Sequence, residues 1–149
     1  MERFATAAFV MLNRDSGELA YVNAGHNPPL VSCPGSTRLL NATGMPLGLF
    51  ADGEYKLGRG IIRPGCALLL FTDGLTDSIP GRNPEDRLRD ALAGNPERTL
   101  DALRGLVDSN LNEDDVTILL VKRAADSASS GVAPSESLIQ QDERKSQET

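Results

Sequence analysis

Over the first forty residues, apolar and polar positions alternate in short runs broken by Asn, Asp, Gly and Pro, the pattern of strands joined by tight turns. Thr6 to Leu12 and Glu18 to Ala24 are two such runs. Asn13-Arg14-Asp15-Ser16-Gly17 between them suits a reversal, so a β-hairpin is expected. The second arm leads into Asn23-Ala24-Gly25-His26-Asn27-Pro28-Pro29, where the Gly and the paired Pro exclude regular structure. A short strand, Leu30-Val31-Ser32, is expected next, then a turn at Pro34-Gly35 and a further strand over Thr37 to Leu40. Gly44-Met45-Pro46-Leu47-Gly48 reads as a rigid loop with few side chains, suited to close approach of another backbone.

Tyr55 to Leu57 and Gly60-Ile61-Ile62 are again strand-like, and Arg63-Pro64-Gly65 turns the chain into Cys66-Ala67-Leu68-Leu69-Leu70-Phe71. That run is apolar at every position, as expected of a central strand buried on both faces. The period then changes. Asn83-Pro84-Glu85-Asp86 and Asn95-Pro96-Glu97 each combine an Asn cap, a first-turn Pro and acids near the positive end of the dipole, and so announce two helices. Leu88 and Leu92 mark the buried side of the first, which Gly94 ends; Leu100, Leu103, Leu106 and Val107 give the second its apolar face. Val116 to Val121 is expected as another buried strand. Residues 124–149 turn to Ala, Ser, Gly, Pro, Gln and charged residues and are expected to be a disordered tail. Hairpins followed by two late helices give an α+β fold rather than an alternating parallel one.

Composition narrows the function. A chain of 149 residues, 40% hydrophobic and 24% charged, fits one globular domain. A net charge of -6 and a pI near 4.7, with no basic stripe, exclude a nucleic-acid-binding surface. Cys33 and Cys66, the only two cysteines, show neither a CxxC spacing nor a neighbouring His, so two buried free thiols are expected rather than a disulfide or a zinc site. No apolar segment is long enough to span a bilayer, and the cytoplasm is the expected location.

The candidate chemistry lies in two acidic turns at the ends of apolar strands, Phe71-Thr72-Asp73-Gly74 and Asp114-Asp115-Val116-Thr117. An Asp where a buried strand opens into a Gly turn has its backbone fixed by the strand while its carboxylate projects from the sheet edge. Hard divalent cations such as Mg²⁺ and Mn²⁺ take carboxylate and water oxygens, and one or two protein carboxylates often suffice. If the two strands are antiparallel neighbours, Asp73 and Asp114 meet, and a shared cation holds both ionised despite their repulsion. Two carboxylates alone make a weak site, and each segment also reads as an ordinary turn or loop; the residues by themselves leave both readings open. His26, the sole histidine, suits either a hydrogen-bonded turn or acid–base work, and nothing in the sequence pairs it with a carboxylate.

Four segments occur in order: Tyr21-Val22-Asn23-Ala24-Gly25-His26-Asn27-Pro28-Pro29, Gly44-Met45-Pro46-Leu47-Gly48, Pro64-Gly65 through Phe71-Thr72-Asp73-Gly74, and Asp114-Asp115-Val116-Thr117. Together they resemble the SpoIIE/RsbU-like branch of the metal-dependent (PPM-type) serine/threonine protein phosphatases, over Phe4 to Arg123. The resemblance implies a partial α-β-β-α sandwich with mostly antiparallel sheets, and a two-metal Mn²⁺ or Mg²⁺ centre in a cleft at one sheet edge. It implies that Asp73 and Asp114 are metal ligands, with Asp115 more suited to supporting its neighbour. Asn23, Gly25, His26 and Gly74 then belong to structural turns. Two cations roughly 3.5–4 Å apart activate a water, neutralise phosphate charge and align attack on phosphorus.

The family draws its bridging carboxylate from an upstream Asp-x-x-Gly-His-Gly motif, which this chain does not contain. Asp15-Ser16-Gly17 sits within the expected hairpin and Asp52-Gly53 within a loop. Residues 1–123 therefore read as the C-terminal portion of such a domain, with its first half missing. Cys66 stands where an Asp commonly follows Pro-Gly, Asp77-Ser78 replaces a frequent Glu-Ala, and Phe71 replaces the usual Tyr; none is a proposed ligand. The implied partners are a phosphorylated protein, such as an anti-sigma-factor antagonist in bacterial signalling, and a chain supplying the missing half, with no nucleic acid and no membrane. The expected function is a phosphoserine/phosphothreonine phosphatase module, incomplete and weak or inactive alone. The alternative is a non-catalytic remnant or protein-binding module of the same fold.

Overall fold

The structure is a computed structural model describing residues 3–81, 83–93, 98–108 and 114–125. In chain order its strands are β1 (Ala7–Leu12), β2 (Glu18–Ala24), β3 (Leu30–Cys33), β4 (Ser36–Leu39), β5 (Gly58–Ile61), β6 (Ala67–Phe71) and β7 (Ile118–Lys122). They form a three-stranded sheet in the order β1-β2-β5 and a four-stranded sheet in the order β4-β3-β6-β7, with every pair antiparallel. The expected hairpin is present, closing from Ala7↔Ala24 to Leu12↔Leu19. Asn13 makes its turn, because its Oδ1 accepts hydrogen bonds from the backbone N–H groups of Asp15 and Ser16.

The alternation of side chains decides the layers. On β6, Leu68 lies in the core between the two sheets, with Leu19, Val31, Leu40 and Ile62, whereas Leu69 and Phe71 point the other way. That second face is covered by helices α1 (Asp73–Asp77), α2 (Pro84–Ala93) and α3 (Thr99–Arg104), which bring Leu75, Leu88, Leu92 and Leu103 against it. An all-apolar β6 is thus explained by cover on both sides. Among the described residues the three-stranded sheet has cover on one side only. Phe9 opposite Val22 and Met11 opposite Ala20 place an apolar band on its outer face, where Phe9 is 64% and Met11 62% exposed. The layers among the described residues therefore run sheet, sheet, helices, which is a partial α-β-β-α sandwich with one helical layer.

Several expectations are corrected. Cys33 and Cys66 are not free thiols but a disulfide. Sequence spacing gave no sign of it, because the register between β3 and β6 creates the pair: Ser32 faces Ala67, so the next residues outward face each other. The Val116 to Val121 run forms an edge strand, β7, on which Leu119 is exposed because the opposing sheet has three strands against four. Leu100 is exposed as well. The inner line of α3 runs through Thr99 and Leu103, and the Thr99 hydroxyl is held at 3.0 Å by Lys122 Nζ. The strand expected in two pieces around Tyr55 to Ile62 is the single β5, and the Thr72-Asp73-Gly74 turn winds into α1. Asn95-Pro96-Glu97, Gly94 and the tail beyond residue 125 lie outside the described residues. Among the described residues no helix is long and apolar enough to cross a membrane.

Replacing Leu69, fully buried on β6, with Ala is expected to cost about 2–5 kcal/mol through lost transfer energy and a residual cavity. The same change at exposed Leu119 on the neighbouring strand should cost about 0.5 kcal/mol. Urea denaturation of the two variants checks the contrast; comparable losses would mean that β7 is covered and the layer assignment wrong.

Candidate metal centre

The antiparallel registers collect distant segments at one edge of the sandwich. β6 ends there and β7 begins there, with Phe71↔Ile118 as the last pair. β3 starts there too, and the turn preceding it carries Asn23 to Pro29.

Thr72 ties the two acidic turns together. Its N–H donates to the Thr117 carbonyl at 3.2 Å, and its hydroxyl oxygen accepts from the Thr117 N–H at 3.0 Å while donating to the Asp115 carbonyl at 3.1 Å. Gly74 lets the strands close, since a Cβ there would stand 2.6 Å from the Asp115 carbonyl oxygen. Asp73, two residues past the end of β6, and Asp114, four residues before the start of β7, thus lie on neighbouring turns. Each carboxylate is steadied locally: Asp73 Oδ1 accepts from the Gly74 N–H at 3.0 Å, and Asp114 Oδ1 accepts from the Asp115 N–H at 2.8 Å. Both side chains are on exposed residues, and among the described residues neither forms an ion pair with Lys or Arg. Among the described residues, the negative charge of this edge thus has no Lys or Arg partner.

Beside it stands a second constellation, built on Asn23, which is fully buried. Its Oδ1 accepts from the His26 N–H at 2.8 Å, and its Nδ2 donates to the carbonyls of His26 at 3.0 Å and Leu40 at 3.1 Å. Its backbone carbonyl accepts from Thr43 and Gly44, and its N–H donates to the Thr43 hydroxyl. One side chain thereby closes the 23–26 turn and pins the 43–48 loop against it. Gly25 is required twice over, by its φ of 70° and by Pro46, whose Cγ would lie 2.7 Å from a Cβ. Leu47 then exchanges backbone hydrogen bonds with Ala5, at 3.0 and 2.8 Å. His26 has Nδ1 3.1 Å from the Thr6 hydroxyl and both backbone groups engaged by Asn23, the surroundings of a structural turn residue.

An all-oxygen pair of carboxylates suits a hard divalent cation. Among the described residues no three or more His, Cys, Asp or Glu converge. Asp115 contributes its backbone at both turns, N–H to Asp114 and carbonyl to Thr72. Thr72 itself escaped the sequence reading; its signal was a hydroxyl directly before the Asp at a strand end, where local backbone bonding is common.

Comparison with known proteins fits this geometry. The family model for stage II sporulation protein E (SpoIIE) matches residues 1–124. The chain is 31% identical over 137 residues to protein IcfG of Synechocystis, covering 83% of this chain and 21% of that protein. It is 31% identical over 123 residues to the phosphoserine phosphatase RsbP of Bacillus subtilis, covering 79% of this chain and 30% of that one. The chain thus spans less than a third of the length of these relatives. Among solved structures, the RsbU and RsbW domains of Rv1364c from Mycobacterium tuberculosis superpose with a TM-score of 0.68 at 29% identity, over 80% of this chain and 37% of that one. The match over residues 1–124, with these relatives, shows that the chain belongs to the SpoIIE family, within the SpoIIE/RsbU-like branch of the PPM-type phosphatases.

Proposed function

We propose that this chain is the C-terminal portion of a metal-dependent phosphoserine/phosphothreonine protein phosphatase, with Asp73 and Asp114 contributing carboxylates to a Mn²⁺ or Mg²⁺ centre. The observation that carries this reading is the Thr72 clasp, which holds the two acidic turns side by side, their Asp73 and Asp114 carboxylates without a Lys or Arg partner among the described residues. Asp115 acts through its backbone, fixing the Asp114 carboxylate. Bound divalent ions supply the water activation and charge neutralisation that phosphoester hydrolysis needs. Without cations the acidic edge repels a phosphate. The substrate class is a phosphorylated protein in bacterial sigma-factor signalling, such as an anti-sigma-factor antagonist, and the setting is the cytoplasm. The relative named a phosphoserine phosphatase supports phosphoserine as the target.

Completion of the site falls to the half-domain that the family places upstream. Its seat is the bare outer face of the three-stranded sheet, where Phe9 and Met11 stand exposed. The competing reading is a non-catalytic remnant, and the absence of a third converging acid among the described residues favours it.

Joined to an upstream half carrying Asp-x-x-Gly-His-Gly, the protein is expected to hydrolyse an aryl phosphate with Mn²⁺. Asp73→Asn should lower that rate roughly 100-fold or more, since even outer-shell partners of a metal commonly cost 10–100-fold. A folded, completed protein that stays inactive with Mn²⁺ sinks the proposal. Calorimetry on the chain alone separates the remnant reading: stoichiometric, micromolar Mn²⁺ binding that disappears in Asp73→Asn contradicts it.

Gly74→Ala is expected to destabilise the chain by about 1–3 kcal/mol through overpacking against the Asp115 carbonyl, and to weaken Mn²⁺ binding along with it. Unchanged binding in that variant would show that the two turns need not close. Phe9→Lys with Met11→Lys should abolish association with an upstream half supplied as a separate polypeptide while leaving Mn²⁺ binding by the chain alone intact. Sedimentation and calorimetry read these two effects separately.

A further inference from the structure

The edge opposite the acidic turns carries the Cys33–Cys66 disulfide, with Cα atoms 4.2 Å apart across the ends of β3 and β6. Cys66 is 3% exposed and Cys33 is half-buried, so the bond is reached from the Cys33 side. Two recesses flank it, each bordered by Cys33, Pro34 and Cys66. One, of about 320 Å³, has Lys122 and Arg123 on its walls; the other, of about 450 Å³, has Arg38 and Arg63. Among the described residues none of these four cations is in an ion pair with a carboxylate. Lys122 Nζ donates to the Thr99 hydroxyl, and the Arg123 guanidinium donates to the carbonyls of Asp15, Ser16 and Ile62, so both are held in place with their charge unneutralised. In a chain of net charge -6 this is a local reversal of sign around the only two cysteines.

We propose that Cys33–Cys66 is a reversible redox site, opened by an anionic low-molecular-weight thiol that enters through these cationic recesses. Cations beside a cysteine favour its thiolate, and they draw in an anionic reagent. In the cytoplasmic setting proposed above, on which this step rests, a disulfide is more often cycled than permanent. The reductant thiolate attacks the Cys33 sulfur. The Cys33–Cys66 bond breaks as the mixed disulfide forms, and its electron pair leaves on Cys66, which takes a proton from solvent. A second reductant thiolate attacks the reductant's sulfur in that mixed disulfide and releases Cys33, which is protonated in turn. Two thiols become one small disulfide, and the protein gains two electrons and two protons.

The backbone ladder survives this change. Gly65 and Cys66 remain bonded to Arg123 at 2.9 Å each, and β3 and β6 keep their register, so reduction removes a cross-link rather than the strand pair. The cross-link spans a sequence separation of 33 residues, and losing it is expected to lower the thermal midpoint by about 10 °C.

The test is native-state alkylation with iodoacetamide, before and after exposure to reduced glutathione, read by peptide mass spectrometry. No label is expected before reduction. Afterwards both cysteines should be labelled in folded protein, with a glutathione adduct on Cys33 at early times. Arg63→Ala and Lys122→Ala should each slow reduction by glutathione several-fold without slowing reduction by cationic cysteamine. Labelling without reductant, reduction only in guanidinium, an early adduct on Cys66, or equal slowing of both thiols in the two variants would each overturn the proposal. Arg63 is exposed, so its variant remains informative if Lys122→Ala does not fold.

Discussion

The register of β6 between β3 and β7 is the constraint on which the rest of this molecule depends. Leu30↔Leu69 on one side and Leu70↔Leu119 on the other fix which side chains face the second sheet and which face the helices. A slip of one residue would exchange Leu68 with Leu69 and bring every contact of both cores onto the wrong side. The same register decides what stands at the strand ends. It places Thr72 where it can clasp Thr117 and Asp115, and it places Cys66 across from Cys33. Neither arrangement is carried by the residues alone; each follows from a strand whose two faces are filled.

Much of the fold was legible because periodicity reports burial. The hairpin, the apolar run of β6 and the start of α2 after Asn83-Pro84 all follow from local alternation, turn chemistry and capping. What escaped the reading was set by neighbours. Val116 to Val121 looks buried by composition, yet its strand lies at the edge of a four-stranded sheet facing a three-stranded one. Leu100 fits a helical stripe, yet α3 is oriented by the Thr99 contact with Lys122. The disulfide escaped because cysteine spacing is informative only within a turn, whereas a cross-strand pair is defined by register.

The site divides in the same way. Asp73 and Asp114 were visible as acids at strand ends, and their adjacency followed once the strands were taken as antiparallel neighbours. The work of Asn23 was hidden. A buried amide that satisfies both its oxygen and its nitrogen on the backbone of His26, with a further bond to Leu40, cannot be read from composition. That hub makes the 23–29 turn and the 44–48 loop a single packed unit, joined through Pro46 on Gly25.

The two ends of β6 also differ in sign. One carries the Asp73 and Asp114 carboxylates, which lack cationic partners among the described residues, the other a disulfide bordered by recesses with Arg38, Arg63, Lys122 and Arg123 on their walls. A strand of five residues rises about 17 Å, roughly twice the screening length at physiological ionic strength. Direct electrostatic coupling between the ends is therefore weak, and any influence of one on the other has to pass through the strand itself. β6 resists such transmission, since a strand packed on both faces and paired on both edges has little room to shift. If both proposals hold, the physical expectation is two independent chemistries on one rigid element, in which oxidation state changes how firmly the sheet holds together and cation binding changes what its far edge can attract.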